Sequence, residues 1–226
     1  MSDTDSFIDE VSEEVRRDQL YGYFRKYGWI AVTAVVLIVG GASYNEYRKA
    51  QISSAAQATG DALLNALNEN ESEARVSALE GATLEVSEAE VIRQFLLSSE
   101  QVTAGDNAKA AATLDAFLNT APETSQIYKD IAELKALMLA GDSLALDERR
   151  SRLEALAQPG GSLSLIASEQ IALLDVEAGN AEAAIERLQA IILDAEATAG
   201  LRQRASQLIV ALGGEPETLP SLPAAQ

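Results

Sequence analysis

Tyr27-Gly-Trp-Ile-Ala-Val-Thr-Ala-Val-Val-Leu-Ile-Val-Gly-Gly-Ala-Ser-Tyr-Asn45 is a run of 19 residues without a charge, bounded by Lys26 and Glu46. As a helix rising about 1.5 Å per residue, it matches the roughly 30 Å thickness of a bilayer's hydrocarbon core. It divides the chain into a charged head (1–26), one transmembrane helix (27–45) and some 180 residues beyond. A cleaved signal peptide and a buried core helix are the rival readings. A signal peptide carries a short positive leader, whereas seven acidic and four basic side chains precede this run. Gly40-Gly41-Ala42 would permit cleavage, but the helical pattern continues past it through Tyr47 to Leu67. Against a core helix, seven of the eleven aromatics (Tyr21, Tyr23, Phe24, Tyr27, Trp29, Tyr44, Tyr47) cluster at the two ends, where interfacial belts sit. The residues favour a retained anchor.

Orientation follows from Lys and Arg beside the helix ends. Arg16, Arg17, Arg25 and Lys26 precede it; only Arg48 and Lys49 follow before Arg75. The positive-inside rule counts basic residues rather than net charge. It puts the head in the cytoplasm and the long C-terminal part outside, which in a bacterial cell is the periplasm, with the chain in the inner membrane.

Beyond residue 50 the chain holds 27 acidic and 11 basic side chains and no basic run. Nucleic acid is excluded as a partner, because phosphate affinity comes from Lys and Arg releasing counterions. Cysteine and histidine are both absent. There are thus no disulfides, no lipid-modified Cys, and neither thiol nor imidazole for nucleophilic relays or metal ligation. Ser-x-x-Lys, Gly-x-Ser-x-Gly and the Walker-type phosphate loop do not occur, and carboxylates on amphipathic helices are ordinarily solvated faces. No catalytic, cofactor-binding or metal-binding residue is assigned, and the binding residues are unspecified. The chain is expected not to be an enzyme.

The outer part is helical in period almost throughout. Ile52, Ala55, Thr59, Ala62, Leu63, Ala66 and Leu67 form one stripe that breaks at Asn68 to Ser72, within a membrane-proximal segment (46–86). Ser87-x-x-Glu90 has the form of a capping box ahead of Val91, Ile92, Phe95 and Leu96. Gly105 ends that helix and Asp106 caps the next, which carries Ala110, Ala111, Leu114, Phe117 and Leu118 and stops before Pro122. Helices are then expected over 127–140, 147–157, 165–178, 181–195 and 201–212, ending at Gly213-Gly214 and a Pro-rich tail (215–226). An ordinary helical bundle would share these features. Gly105-Asp106, Gly141-Asp142 and Gly179-Asn180 recur at spacings of 36 and 38 residues, close to the tetratricopeptide period. Registered on those glycines, Leu97, Ala110 and Pro122 fit the pattern of small residues at helix crossings, as do Ile171, Ala184, Ile185 and Leu188. Leu146, Asp147 and Arg150 do not, which makes the middle unit degenerate. The expected fold is all-α: a single N-terminal transmembrane helix followed by a degenerate tetratricopeptide-like solenoid over 87–214. Stacked pairs of that kind curve into a binding groove.

The head Phe7-x-x-Glu10-Val11-x-x-Glu14-x-Arg16, the run Lys26-Tyr27-Gly28, the single span and the close Leu201-Arg-Gln-Arg-Ala-x-Gln-Leu-Ile-x-Ala-Leu-Gly-Gly214 resemble the ancillary subunit of the Sec translocon, in its alphaproteobacterial form. The likeness covers nearly the whole chain apart from the tail. It implies a membrane-anchored periplasmic protein beside the Sec channel subunits, working with a periplasmic prolyl isomerase or other chaperones on emerging secretory polypeptides. It brings no catalytic or binding residue. The head has an apolar stripe of its own, Ile8, Val11, Val15, Leu20, Tyr23, Phe24 and Tyr27. That stripe suits the bilayer surface, a partner's cytoplasmic loop or a solvated leader, with Arg25 and Lys26 as headgroup anchors. Three functions stand side by side: a chaperone-like interaction protein at the channel, a scaffold for another envelope process such as cell division or wall synthesis, and an envelope enzyme.

Overall fold

Helix α1 runs without interruption from Asp3 to Leu67 in the computed structural model of the chain. The structure describes the backbone of residues 3–120 and 124–217, with side chains from Tyr21 onward except Phe24 and Ala31. The head's Ile8, Val11, Val15, Leu20 and Phe24 side chains, Pro122 and the tail from residue 218 lie outside the described residues. The chain divides into two units, 1–58 and 59–226.

In the first unit the apolar run has no protein cover. Tyr21–Leu67 contains a window of mean hydropathy 1.6, long and apolar enough to cross a membrane, and none of that window is buried. A core helix would have its Val and Ile side chains covered, whereas Leu37 and Ile38 are about 70% exposed. The Thr33 hydroxyl donates to the carbonyl of Trp29 at 2.8 Å, which satisfies the polar group within the helix itself. Tyr23 stacks on Tyr27 with ring centroids 6.2 Å apart, and the Lys26 ammonium sits 5.5 Å from the Tyr27 ring centre.

The second unit is all helical among the described residues: the end of α1, then α2 (Ser72–Gly81), α3 (Glu90–Thr103), α4 (Asn107–Thr120), α5 (Gln126–Ala140), α6 (Leu146–Leu156), α7 (Ser164–Glu177), α8 (Ala181–Leu193) and α9 (Ala199–Ala211). From α3 on, each helix packs chiefly on its neighbours in sequence. The core accordingly falls into four successive clusters. Leu63 and Ala66 of α1 join Val76, Leu79 and Leu97; Val91, Leu114, Phe117, Ala132 and Ala136 form the next. Leu134, Leu137, Leu153, Ala167, Ile171 and Leu174 follow, and Ala172, Ala184, Leu188, Ile191 and Ile209 centre the last. Helices α3, α5 and α7 each serve two clusters with opposite faces, whereas α4, α6 and α8 each serve one.

Caps explain several of the boundaries. Gly105, Gly179 and Gly213 take φ of +84°, +79° and +81°. Beyond them the amides of Asp106, Asn180 and Gly214 reach back to the carbonyls of Gln101, Asp175 and Ile209 at 2.8–2.9 Å, closures that left-handed glycine makes possible. Asp106 caps α4 through its carboxylate, which accepts from the Lys109 amide at 2.9 Å, and Thr198 caps α9 in the same way from Leu201.

Two expectations are corrected. The capping box at Ser87 does not form: a 3-10 turn occupies Ser87–Ala89, the Ser87 hydroxyl turns to Glu88, and Glu90 is drawn forward to Arg93 and Gln94, each at 2.6 Å. Gly141 does not close its helix as Gly105 and Gly179 do, since at φ +48° and ψ −134° it opens a second 3-10 turn, Gly141–Ser143. Helices α4 and α8 begin two residues after their glycine and α6 begins five after, so a register based on Gly141 misplaces α6 by three residues.

Candidate interaction face

Counting from the helix starts restores a common pattern. The fourth residue is Ala110 in α4, Arg149 in α6 and Ala184 in α8, and the eighth is Leu114, Leu153 and Leu188. All three leucines are buried, at 0%, 3% and 1% exposure, and both alanines are sealed completely. The middle unit therefore keeps its leucine and departs at one crossing, where an arginine replaces a methyl group.

Large apolar side chains are distributed unevenly over the surface. Among the described residues, α3 exposes Ile92 and Val102, α5 exposes Ile127, Tyr128, Ile131 and Met138, and α7 exposes Ile166, Leu173 and Val176. Helices α2, α4 and α6 expose none, and α8 only its last residue, Leu193. The three helices bearing these groups are neighbours. The Lys135 ammonium of α5 lies 6.0 Å from the Phe95 ring centre on α3, and Met138 of α5 and Leu173 of α7 line one cleft. Exposed large apolar groups gathered on neighbouring helices make these helices the candidate interaction face. No periodicity argument isolated these residues, although α5 carries a legible signal: apolar groups at 127, 128, 131, 134, 137 and 138 form a stripe wider than one core face needs.

That cleft encloses about 110 Å³ and is lined by Leu137, Met138, Arg149, Leu153, Gln170, Leu173, Leu174 and Glu177. The Arg149 side chain is 9% exposed and bonds the Glu177 carboxylate, itself 42% exposed, through one terminal nitrogen. Its Nε has no hydrogen-bond partner among the described residues.

Ion pairs elsewhere act as struts between helices. A cleft of about 380 Å³ between α5 and α6 contains Arg152, which spans three helices by bonding Glu133 at 2.6 and 2.9 Å and Asp115 at 2.6 Å. The hydrogen bond to Glu133 raises the Arg152 pKa, burial opposes it, and the bond to Asp115 adds to the rise. Arg204 makes a two-pronged bond to Glu169, both contacts at 2.9 Å, and that bond likewise raises the Arg204 pKa. Asp175, 3% exposed, receives Arg150 at 2.7 Å and Arg187 at 3.5 Å. These guanidiniums are committed to helix-to-helix contacts. No group of three or more carboxylates placed to hold a metal ion occurs among the described residues. Tyr23 and Trp29, among the aromatics at the entry to the apolar run, are each about two-thirds exposed. No protein-family model, curated protein or solved structure matches the chain.

Proposed function

We propose that the chain is a single-pass protein of the bacterial inner membrane whose head is cytoplasmic and whose helical array lies in the periplasm. There it acts beside the Sec translocon channel as a non-enzymatic, chaperone-like ancillary subunit that binds emerging polypeptides on the face formed by α3, α5 and α7. Periplasmic prolyl isomerases and other chaperones are its proposed partners. The array is read as a degenerate tetratricopeptide-like solenoid. Sequential helix packing, four successive core clusters and the recurring leucine of α4, α6 and α8 support that reading. The observation carrying the functional proposal is the combination of an uncovered membrane-length helix with large exposed apolar groups confined largely to alternate helices. An unfolded chain presents apolar side chains at intervals, and a face of separated apolar groups suits it without demanding one sequence. Tethering raises the effective concentration of that face near the membrane.

The test separates anchor from face. Residues 1–45 are exchanged for an unrelated single-span anchor of the same orientation, and channel subunits are sought by co-purification in mild detergent. The account expects the chimera to lose the channel, with recruitment running through Val11, Tyr23 and Trp29. Full recovery would move recruitment to the array, and recovery of division or wall-synthesis proteins by the native chain would replace the translocon reading with the scaffold.

A further inference from the structure

Arg149 is the one member of its helical position that brings a charge into a crossing, and the structure leaves that charge incompletely used. The residue is 8% exposed, and among the described residues its Nε is unpartnered and Glu177 alone meets its outer edge. A guanidinium offers Nε and a terminal nitrogen as parallel donors to one carboxylate, and Glu177 engages a terminal nitrogen alone. Glu177 is the last residue of α7 and nearly half exposed, so its carboxylate can leave for solvent without disturbing the core. Met138, 58% exposed, and Leu173, 39% exposed, line the same cleft. A chain entering it therefore meets apolar groups beside the cation.

We infer that the Arg149 cleft seats an acidic side chain flanked by apolar residues within an extended polypeptide, with Glu177 as the intramolecular carboxylate that this ligand displaces. The inference rests on the polypeptide-binding reading of the same face and gives it a specificity. Charge complementarity selects the ligand's acid. The apolar groups beside the cation select an internal residue over a chain terminus.

The test uses the full-length protein in mild detergent and fluorescently labelled, C-terminally amidated peptides with a central Leu-Leu-Glu-Leu-Leu or Leu-Leu-Gln-Leu-Leu, read by anisotropy. The Glu peptide is expected to bind about tenfold tighter than the Gln peptide, the size of one charge-assisted hydrogen bond. Arg149→Met, which keeps the length and apolar character of the stem, is expected to abolish that ratio. Glu177→Gln weakens the intramolecular competitor for Arg149, and is expected to tighten the Glu peptide further and not the Gln peptide. Equal binding of both peptides, or a ratio indifferent to Arg149→Met and Glu177→Gln, overturns the Arg149 inference and leaves the face intact. A gain that appears only when the Gln peptide has a free terminal carboxylate assigns the cleft to chain ends and likewise overturns it. Absence of binding by either peptide overturns the polypeptide-binding reading of the face and the inference with it.

Discussion

Helix α7 is crossed by α8 on one side and by α6 on the other, and the two crossings differ at one equivalent residue. At the α8 crossing Ala184 is sealed, and the apolar cluster around it includes Ala172, Leu188, Ala205 and Ile209. At the α6 crossing Arg149 takes the same helical position, pairs with Glu177 and borders an open cleft. A methyl group lets two helices close on each other; a guanidinium holds them apart and must find a counter-charge. The comparison shows how a single residue turns a packing contact into a chemically addressable site without changing the order of the helices.

The largest effect should come from forcing the α8 crossing to resemble the α6 crossing in chemistry but not in space. Ala184→Arg inserts a charge where no cavity exists, and thermal or denaturant unfolding should reveal a loss of about 3 kcal/mol or more. An unchanged melting temperature would contradict the sealed crossing. Next, Leu188→Ala and Leu153→Ala truncate the same helical position on the two sides. Both should destabilise, Leu188→Ala by about 3–5 kcal/mol and Leu153→Ala by about 2–3, because the site beside the existing cleft already borders solvent and has less packing to lose. A larger cost for Leu153 would reverse that contrast. Arg149→Ala should cost only about 1 kcal/mol, chiefly lost stem packing, since the abandoned Glu177 is nearly half exposed.

Helix boundaries were legible where the cap chemistry is local. Gly105, Gly179 and Gly213 each need the left-handed conformation, so glycine marks the stop directly. Gly141 looks identical in sequence and differs because it opens a 3-10 turn, so the Gly-Asp dipeptide does not by itself decide the closure. Ser87 and Glu90 had the residue types of a capping box, but Arg93 and Gln94 on the same helix compete for the carboxylate and win. Helix α2 has too short a stripe to be set apart by period alone, and it is fixed by burying Val76 and Leu79 against Leu63 and Leu97. The interaction face was the least legible element. Whether Ile131 or Leu173 is core or surface depends on which neighbours a helix acquires, and only three-dimensional packing supplies that.

The smallest effect concerns the wet ionic contacts as a class. Burial would raise the Glu90 pKa, but hydrogen bonds from Arg93 and Gln94 outweigh it and hold the value below 4.5. A carboxylate with a depressed folded pKa stabilises above its unfolded value and ceases to do so as pH falls through the folded one. The slight destabilisation by Glu90→Gln at neutral pH should therefore fade as acidification carries the solution below the ordinary carboxylate range. A difference growing on acidification would assign Glu90 the opposite role.

The central claim, that the face of α3, α5 and α7 holds polypeptide beside the membrane, is tested most directly by photo-crosslinking in cells from single sites in the full-length chain. Probes replace Ile131 and Leu173 on that face, and Ala116 and Glu154 on α4 and α6. The account predicts crosslinks to secretory chains in transit from Ile131 and Leu173 and a background signal from the other two. Equal crosslinking from all four sites, or a preference for Ala116 and Glu154, would contradict it.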